Sequence, residues 1–263
     1  MGFDNNKHRR GRPDSGSQSR EKAHPEADGV LPAARDDLHG DLQDVLESAA
    51  KLQRVVPDAV LVGGSAAALY AGHRASYDHD HVLPNLRANF DVILDALEAD
   101  DGWATNRVSY GKIILGELGG IETGLRQLIR TRPLEVAEVQ LISGATIRVP
   151  TQEETLRIKA FLITRRNQTR DYLDVAALAE TVGVEDAADI LNGMDDYYAD
   201  QNRDGAAVRS QVVRQLAEPR PKDSRTTKQL GSYKGLVSRW QSWDATVETC
   251  RSVAEHMVLR EGA

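Results

Sequence analysis

Apolar and polar positions alternate along this chain in two distinct rhythms. From Asp37, the segment DLHGDLQDVLESAAKLQRV sets Leu38, Leu42, Val45, Leu46 and Ala49 at helical spacing and predicts an amphipathic helix. DAVLVGG follows as a buried strand entering a glycine turn. Ser65 reads as the N-cap of a helix AAALYA, with Gly72 as its stop. ASYDHDHVL predicts a second strand, NFDVILDALEA a helix and KIILGEL a further strand. TGLRQLIRT predicts a short helix with Arg126 and Arg130 on one face. LEVAEVQLI and ATIRVP predict a strand pair closed by the Ser143-Gly144 turn. After Pro150 the rhythm turns helical: TQEETLRIKAFLITRR, TRDYLDVAALAETV and VEDAADILNGMDDYYAD, with two more helices through residue 260.

These elements predict an α+β fold: a small mixed sheet with helices over one face in residues 36–150, then an all-helical part in 151–263. Residues 1–35 are rich in Gly, Ser, Pro, Asp and Arg with almost no apolar period, which predicts a disordered tail. Composition narrows the setting. A single cysteine, Cys250, excludes an internal disulfide framework and a cysteine-cluster zinc site. There is no run of about 18 apolar residues, so the expectation is a soluble cytoplasmic protein with no membrane partner. A formal charge of −7 means that any nucleic acid must be met by local basic patches.

The stretch LVGGSAAALYAGHRASYDHDHVL, Leu61 to Leu83, carries the candidate chemistry. On a strand, side chains two apart point the same way, so Asp78 and Asp80 present two carboxylates side by side while His79 and His81 face the other side. Such a pair suits a hard divalent cation, magnesium or manganese. The Gly63-Gly64 turn lets the backbone approach a ligand closely, and the following helix N-terminus suits the phosphate tail of an NTP, with Ser65 adding a hydroxyl. Together these are the two halves of a nucleotidyl-transfer site.

GGSAAALYAGHRASYDHDHV resembles the signature of the minimal nucleotidyltransferases of the DNA polymerase β superfamily, in which a Gly-Gly or Gly-Ser turn precedes an Asp-X-Asp pair. It is similar above all to the AbiEii/AbiGii-type toxin family, which includes the MenT toxins. That family shows a GGxAxxLxxGHRxSxDxD block and, farther on, a lysine-bearing helix followed by RDYxD. Here the latter is LRIKAFLITRRNQTRDYLDVAAL, and the resemblance spans about residues 55 to 180. It implies a polymerase β-like core with Asp78 and Asp80 as metal ligands, Gly64 and Ser65 at the phosphate turn, and Arg74 on phosphate. Lys159 corresponds to the lysine of the later helix, a triphosphate contact. Asp174 corresponds to the second aspartate of RDYxD, with Asp171 beside it, although a plain Arg170–Asp174 salt bridge also fits the spacing. Relatives of this kind supply a third carboxylate from a later strand; Glu135 and Glu138 are the candidates, and Glu138 is favoured.

The resemblance implies an NTP-dependent enzyme that transfers nucleotides to RNA, the tRNA 3′ end in particular, as the toxin of a toxin–antitoxin pair with a cognate antitoxin. Basic segments RQLIRTR, RRNQTR with Arg166, and RPKDSRTTK are available for an RNA backbone, with Tyr233 and Trp240 as stacking groups or core aromatics. An antibiotic-type small-molecule nucleotidyltransferase and a non-enzymatic nucleotide- or protein-binding module are the competing classes. The first would want an acidic acceptor pocket; the second would leave the carboxylates without work.

Overall fold

The computed structural model describes residues 39–202, 206–233 and 235–260. The tail expected in residues 1–35 lies outside the described residues. In chain order the elements are α1 (His39–Val55), β1 (Val60–Val62), α2 (Gly63–Ala71), β2 (Asp78–Leu83), α3 (Phe90–Glu98), β3 (Trp103–Ser109), β4 (Ile113–Leu118), β5 (Ile121–Gln127), β6 (Val136–Gln140) and β7 (Thr146–Pro150). Helices follow: α4 (Gln152–Arg166), α5 (Thr169–Val182), α6 (Val184–Asn192), α7 (Met194–Tyr198), α8 (Val208–Ala217), α9 (Ser224–Thr227) and α10 (Trp243–Leu259). The fold is therefore mixed α and β, with strands giving way to helices at Pro150.

The principal sheet has the order β1-β2-β5-β4-β3. β2 pairs antiparallel with β1 and parallel with β5, so the sheet is mixed and β2 lies inside it. Alternation on β2 does what the sequence pattern requires: His79, His81 and Leu83 are buried, whereas Asp78, Asp80 and Val82 are partly exposed. Leu83 packs with Leu52 of α1, Phe90, Ile93 and Leu97 of α3, and Ile114 and Leu125 of the neighbouring strands. Helices thus cover one face of the sheet and leave the carboxylate face open. Burying each such leucine is worth about 2 kcal/mol, so the face carrying His79 and His81 is the one the fold commits inward.

The helical part is not separate from the sheet. Ala67 of α2 sits in the same core as Leu156 and Phe161 of α4, Leu173 and Leu178 of α5, and Val253 of α10. α4 starts on a cap, Thr151 accepting from the Glu154 N–H at 3.2 Å, and ends at Asn167 in the left-handed region.

Three expectations change. The segment expected as the helix TGLRQLIRT begins inside the strand β5, because Gly119 and Gly120 both take positive φ and fold the chain back on β4. Arg126 and Arg130 consequently share no helix face. α2 begins at Gly63 with Val62 at the N-cap, so Ser65 is inside the helix and caps nothing. β6 and β7 pair antiparallel as expected, in a two-stranded sheet of their own. The segment after Gly183 divides at Gly193 into α6 and α7. Gly72 ends α2 in the left-handed conformation, as expected.

Candidate active site

A cleft of about 1210 Å³ opens over the carboxylate face of β2, between the sheet and helices α4 and α5. Gly63, Gly64, Arg74, Asp78, Asp80, Lys159 and Arg166 all line it, so seven of the residues singled out in the sequence meet at one place. Ser65 and Asp174 stand just behind its wall, and Glu138 lies elsewhere.

The turn before α2 is built around absent side chains. Gly63 has φ +80, and a Cβ there would lie 3.3 Å from Asp80 Cβ. A Cβ on Gly64 would lie 2.8 Å from Arg74 Nη2 and 2.9 Å from Ser76 Oγ. The first backbone N–H groups of α2, which have no partner within the helix, border the cleft here.

Ser65 has a different task from the one expected. Its buried hydroxyl donates to Asp78 O at 2.5 Å and lies 3.0 Å from Ser76 Oγ, tying α2 to the start of β2. Ser76 in turn donates to Asp78 Oδ1 at 3.2 Å. Ser76, two positions before Asp78 in the same motif, is a site residue that the Asp-X-Asp pattern alone does not single out.

Asp174 organises the opposite wall. It is fully buried and accepts Arg74 Nε at 2.8 Å and Nη2 at 3.1 Å, with Lys159 Nζ at 2.6 Å and His73 Nε2 at 2.8 Å. Burial would push this carboxyl upward, but Arg74, Lys159 and His73 together hold it well below the usual carboxylate range. Burial lowers Lys159, opposed by Asp174, and lowers His73, which sits there as neutral imidazole. One carboxylate thus faces two cations, and the surplus positive charge borders the glycine turn. The Arg170–Asp174 pairing expected from spacing does not form; Asp174 turns to Arg74 and Lys159 instead. His73 completes the set around this carboxylate through its Nε2.

Asp171 holds Arg166 in a fork, with Arg166 Nε to Oδ2 at 2.7 Å and Nη2 to Oδ1 at 2.6 Å. Arg126 reaches from β5 to Asp80 Oδ1 on β2 at 3.4 Å. Arg170 lines the cleft with no acidic partner among the described residues, and its Nε has no hydrogen-bond acceptor.

Glu138 does not join this group. It sits exposed on β6, opposite Arg148 in the second sheet, because β5 and not β6 is the strand beside β2. Glu135 is bonded to Arg157 and Tyr197. On β5 the positions facing Asp78, Asp80 and Val82 are Glu122, Gly124 and Arg126. Trp240 is buried in the helical core, whereas Tyr233 lies half-buried on the cleft wall. Cys250 is buried, and burial pushes its thiol up to about 12.

The donor set fits a divalent cation that shares its ligands with a substrate. Among the described residues no cluster of three or more His, Cys, Asp or Glu side chains could hold a metal alone. Two half-exposed carboxylates on one strand face, with phosphate oxygens and water completing the shell, are a usual arrangement for magnesium.

No protein-family model matches the chain. It is 32% identical over 247 residues to the heme uptake protein MmpL11 of Mycobacterium tuberculosis, a match covering 83% of this chain and 23% of that protein. It is 35% identical over 129 residues to the mycolic acid-containing lipids exporter MmpL11 of Mycolicibacterium smegmatis, covering 49% of this chain and 13% of that one. The chain therefore spans about a quarter or less of the length of these curated relatives. Among solved structures it is similar to an antigenic nucleotidyltransferase-like protein from Paracoccidioides brasiliensis, with TM-score 0.41, 17% identity, and coverage of 53% of this chain and 76% of that one. It is also similar to the antibiotic-resistance factor ANT(2'')-Ia, with TM-score 0.43, 15% identity, and coverage of 60% of this chain and 93% of that one. At these scores the fold stands on its own strand order and register. No helix among the described residues is long and apolar enough to cross a membrane.

Proposed function

We propose that the cleft catalyses magnesium- or manganese-dependent nucleotidyl transfer from an NTP to RNA. The observation that carries this reading is the juxtaposition of Asp78 and Asp80 with the Gly63-Gly64 turn and the Arg74–Lys159 pair in one cleft. Asp78 and Asp80 would hold the cation, which when bound would supply positive charge to the phosphates. The glycine turn receives the triphosphate, and the surplus positive charge of Arg74 and Lys159 draws it there. An acceptor hydroxyl attacks the α-phosphorus, the bond to the β-phosphate breaks and pyrophosphate leaves. Asp78 and Asp80 are the two carboxylates on the cleft wall among the described residues, so the hydroxyl proton goes to one of them or to water. Asp174 touches none of the reactants and acts by positioning.

The charge of the cleft supports RNA over an aminoglycoside. Eight of its lining residues are Arg or Lys, against two carboxylates on the wall and three more paired with lining cations, Glu154, Asp171 and Asp174, so an excess of three positive charges remains in a chain whose net charge is −7. A cationic acceptor would be repelled; a polyanion is attracted. On the resemblance of the motif block, the acceptor is the 3′ end of tRNA and the protein is a toxin, growth arrest being relieved by a cognate antitoxin in the cytoplasm. Incubation with an α-labelled NTP, magnesium and an equimolar mixture of total tRNA and tobramycin separates the classes. Label on tRNA is expected; label on the aminoglycoside, or nucleotide binding without any transfer, would refute the acceptor or the chemistry respectively.

A further inference from the structure

The cleft continues beyond the carboxylates. β2 and β5 run parallel, so their C-terminal ends meet at one end of the sheet, where Leu83 lies three residues, about 10 Å, past Asp80. β1 is antiparallel with Val62 opposite Asp80, so Gly63 lies toward the other end. A ligand stretched along β2 therefore passes the glycine turn, then the carboxylates, then the segment Pro84–Ala88.

That far end is braced by one side chain. Gln127 Nε2 donates to Pro84 O at 2.7 Å, and its Oε1 accepts the Arg87 N–H at 2.8 Å. The backbone N–H of Gln127 donates to Lys112 O at 3.0 Å. Arg87 lies against Gly111, where a Cβ would stand 3.1 Å from Arg87 Cγ. Arg87 and Lys112 are thereby fixed on adjoining backbone at the mouth of the cleft. Both are exposed, and neither has an acidic partner among the described residues. This sets them apart from Arg74, Lys159, Arg130 and Arg166, each of which has a carboxylate. Ile129, two residues past Gln127 and 57% exposed, adds an apolar surface on the same wall. Two uncompensated cations beside an apolar patch suit a phosphodiester with its nucleoside.

We propose that Arg87 and Lys112 form a phosphodiester subsite that grips the acceptor strand upstream of its reacting hydroxyl, on the opposite side of the carboxylates from the NTP triphosphate. This rests on the nucleotidyl-transfer reading of the cleft.

The test is a pair of titrations on wild type and the Arg87→Glu/Lys112→Glu variant. One uses a 5′-fluorescein single-stranded oligoribonucleotide over a series of salt concentrations, the other a fluorescent ATP analogue with magnesium. RNA affinity should fall at least roughly tenfold at low salt, and the slope of log affinity against log salt should flatten by about 1.4 units, two phosphate contacts on a single strand. Nucleotide affinity and melting temperature should stay as in wild type. Undiminished RNA binding, an equal fall in nucleotide affinity, or displacement of RNA by inorganic phosphate as effective as by unlabelled RNA would each overturn the subsite. Failure of the wild type to bind the nucleotide at all would count against the transfer reading, whatever the RNA titration shows.

Discussion

Asp80 and Gly124 are cross-strand neighbours on the parallel pair β2–β5, and a Cβ on Gly124 would lie 2.5 Å from Asp80 Oδ1. Gly63 bounds the same carboxylate on its other side, 3.4 Å from a virtual Cβ to Oδ2. The carboxylate occupies a notch made by two missing side chains, and its orientation depends on both.

Gly124→Ala should therefore act on chemistry more than on folding. The methyl group must displace Asp80, and misplacing a reacting group by about 1 Å costs on the order of a hundredfold in rate. Transfer should fall by about that factor, while the circular dichroism spectrum stays native. A fully active Gly124→Ala protein would show that Asp80 need not hold its observed rotamer.

Asp174 and Lys159 should separate under mutation. Removing the carboxylate in Asp174→Ala strands Arg74 and Lys159 in a buried site, which costs about 3–5 kcal/mol. Lys159→Met leaves Arg74 and His73 on Asp174, so its main effect should be weaker NTP binding. Urea denaturation with nucleotide titration distinguishes the two; equal stability losses would make Lys159 purely structural.

Stability should fall in mild acid. Burial lowers His79 to about 4 and also lowers His73 and His81, so the folded protein keeps these rings neutral where the unfolded chain protonates them. The unfolded state then binds more protons, and the stability present above about 6.5 is lost as pH drops toward 4. His79 alone accounts for roughly 2 kcal/mol at pH 5. Melting at pH 7.5 and pH 5 checks this; an unchanged or higher melting temperature at pH 5 would contradict it.

Much of the site was legible because it is local. The two-residue period of DHDHVL orients Asp78 and Asp80, whereas Lys159 and Asp174 stand out only through the resemblance of their segments to the family's motifs, and the structure buries both. What misled was non-local. In TGLRQLIRT, Leu125, Leu128 and Ile129 mimic helical spacing, yet a double-glycine hairpin and pairing with β2 impose a strand. With a helix there, β2 lacks its β5 partner, Gly124 is not set beside Asp80, Arg126 is not turned toward the carboxylates, and the later-strand carboxylate falls on Glu138. β3 gave little signal, since five of its seven residues are exposed along the sheet edge.

The central claim is that Asp78 and Asp80 carry out metal-dependent nucleotidyl transfer. The most direct measurement is the rate of incorporation of α-labelled NTP into tRNA at saturating magnesium, for wild type and Asp80→Asn, with nucleotide affinity and melting temperature recorded alongside. Wild type should label tRNA, and Asp80→Asn should be at least a thousandfold slower with an unchanged fold, about 4 kcal/mol of lost transition-state stabilisation. Incorporation by Asp80→Asn at the wild-type rate would contradict the assignment.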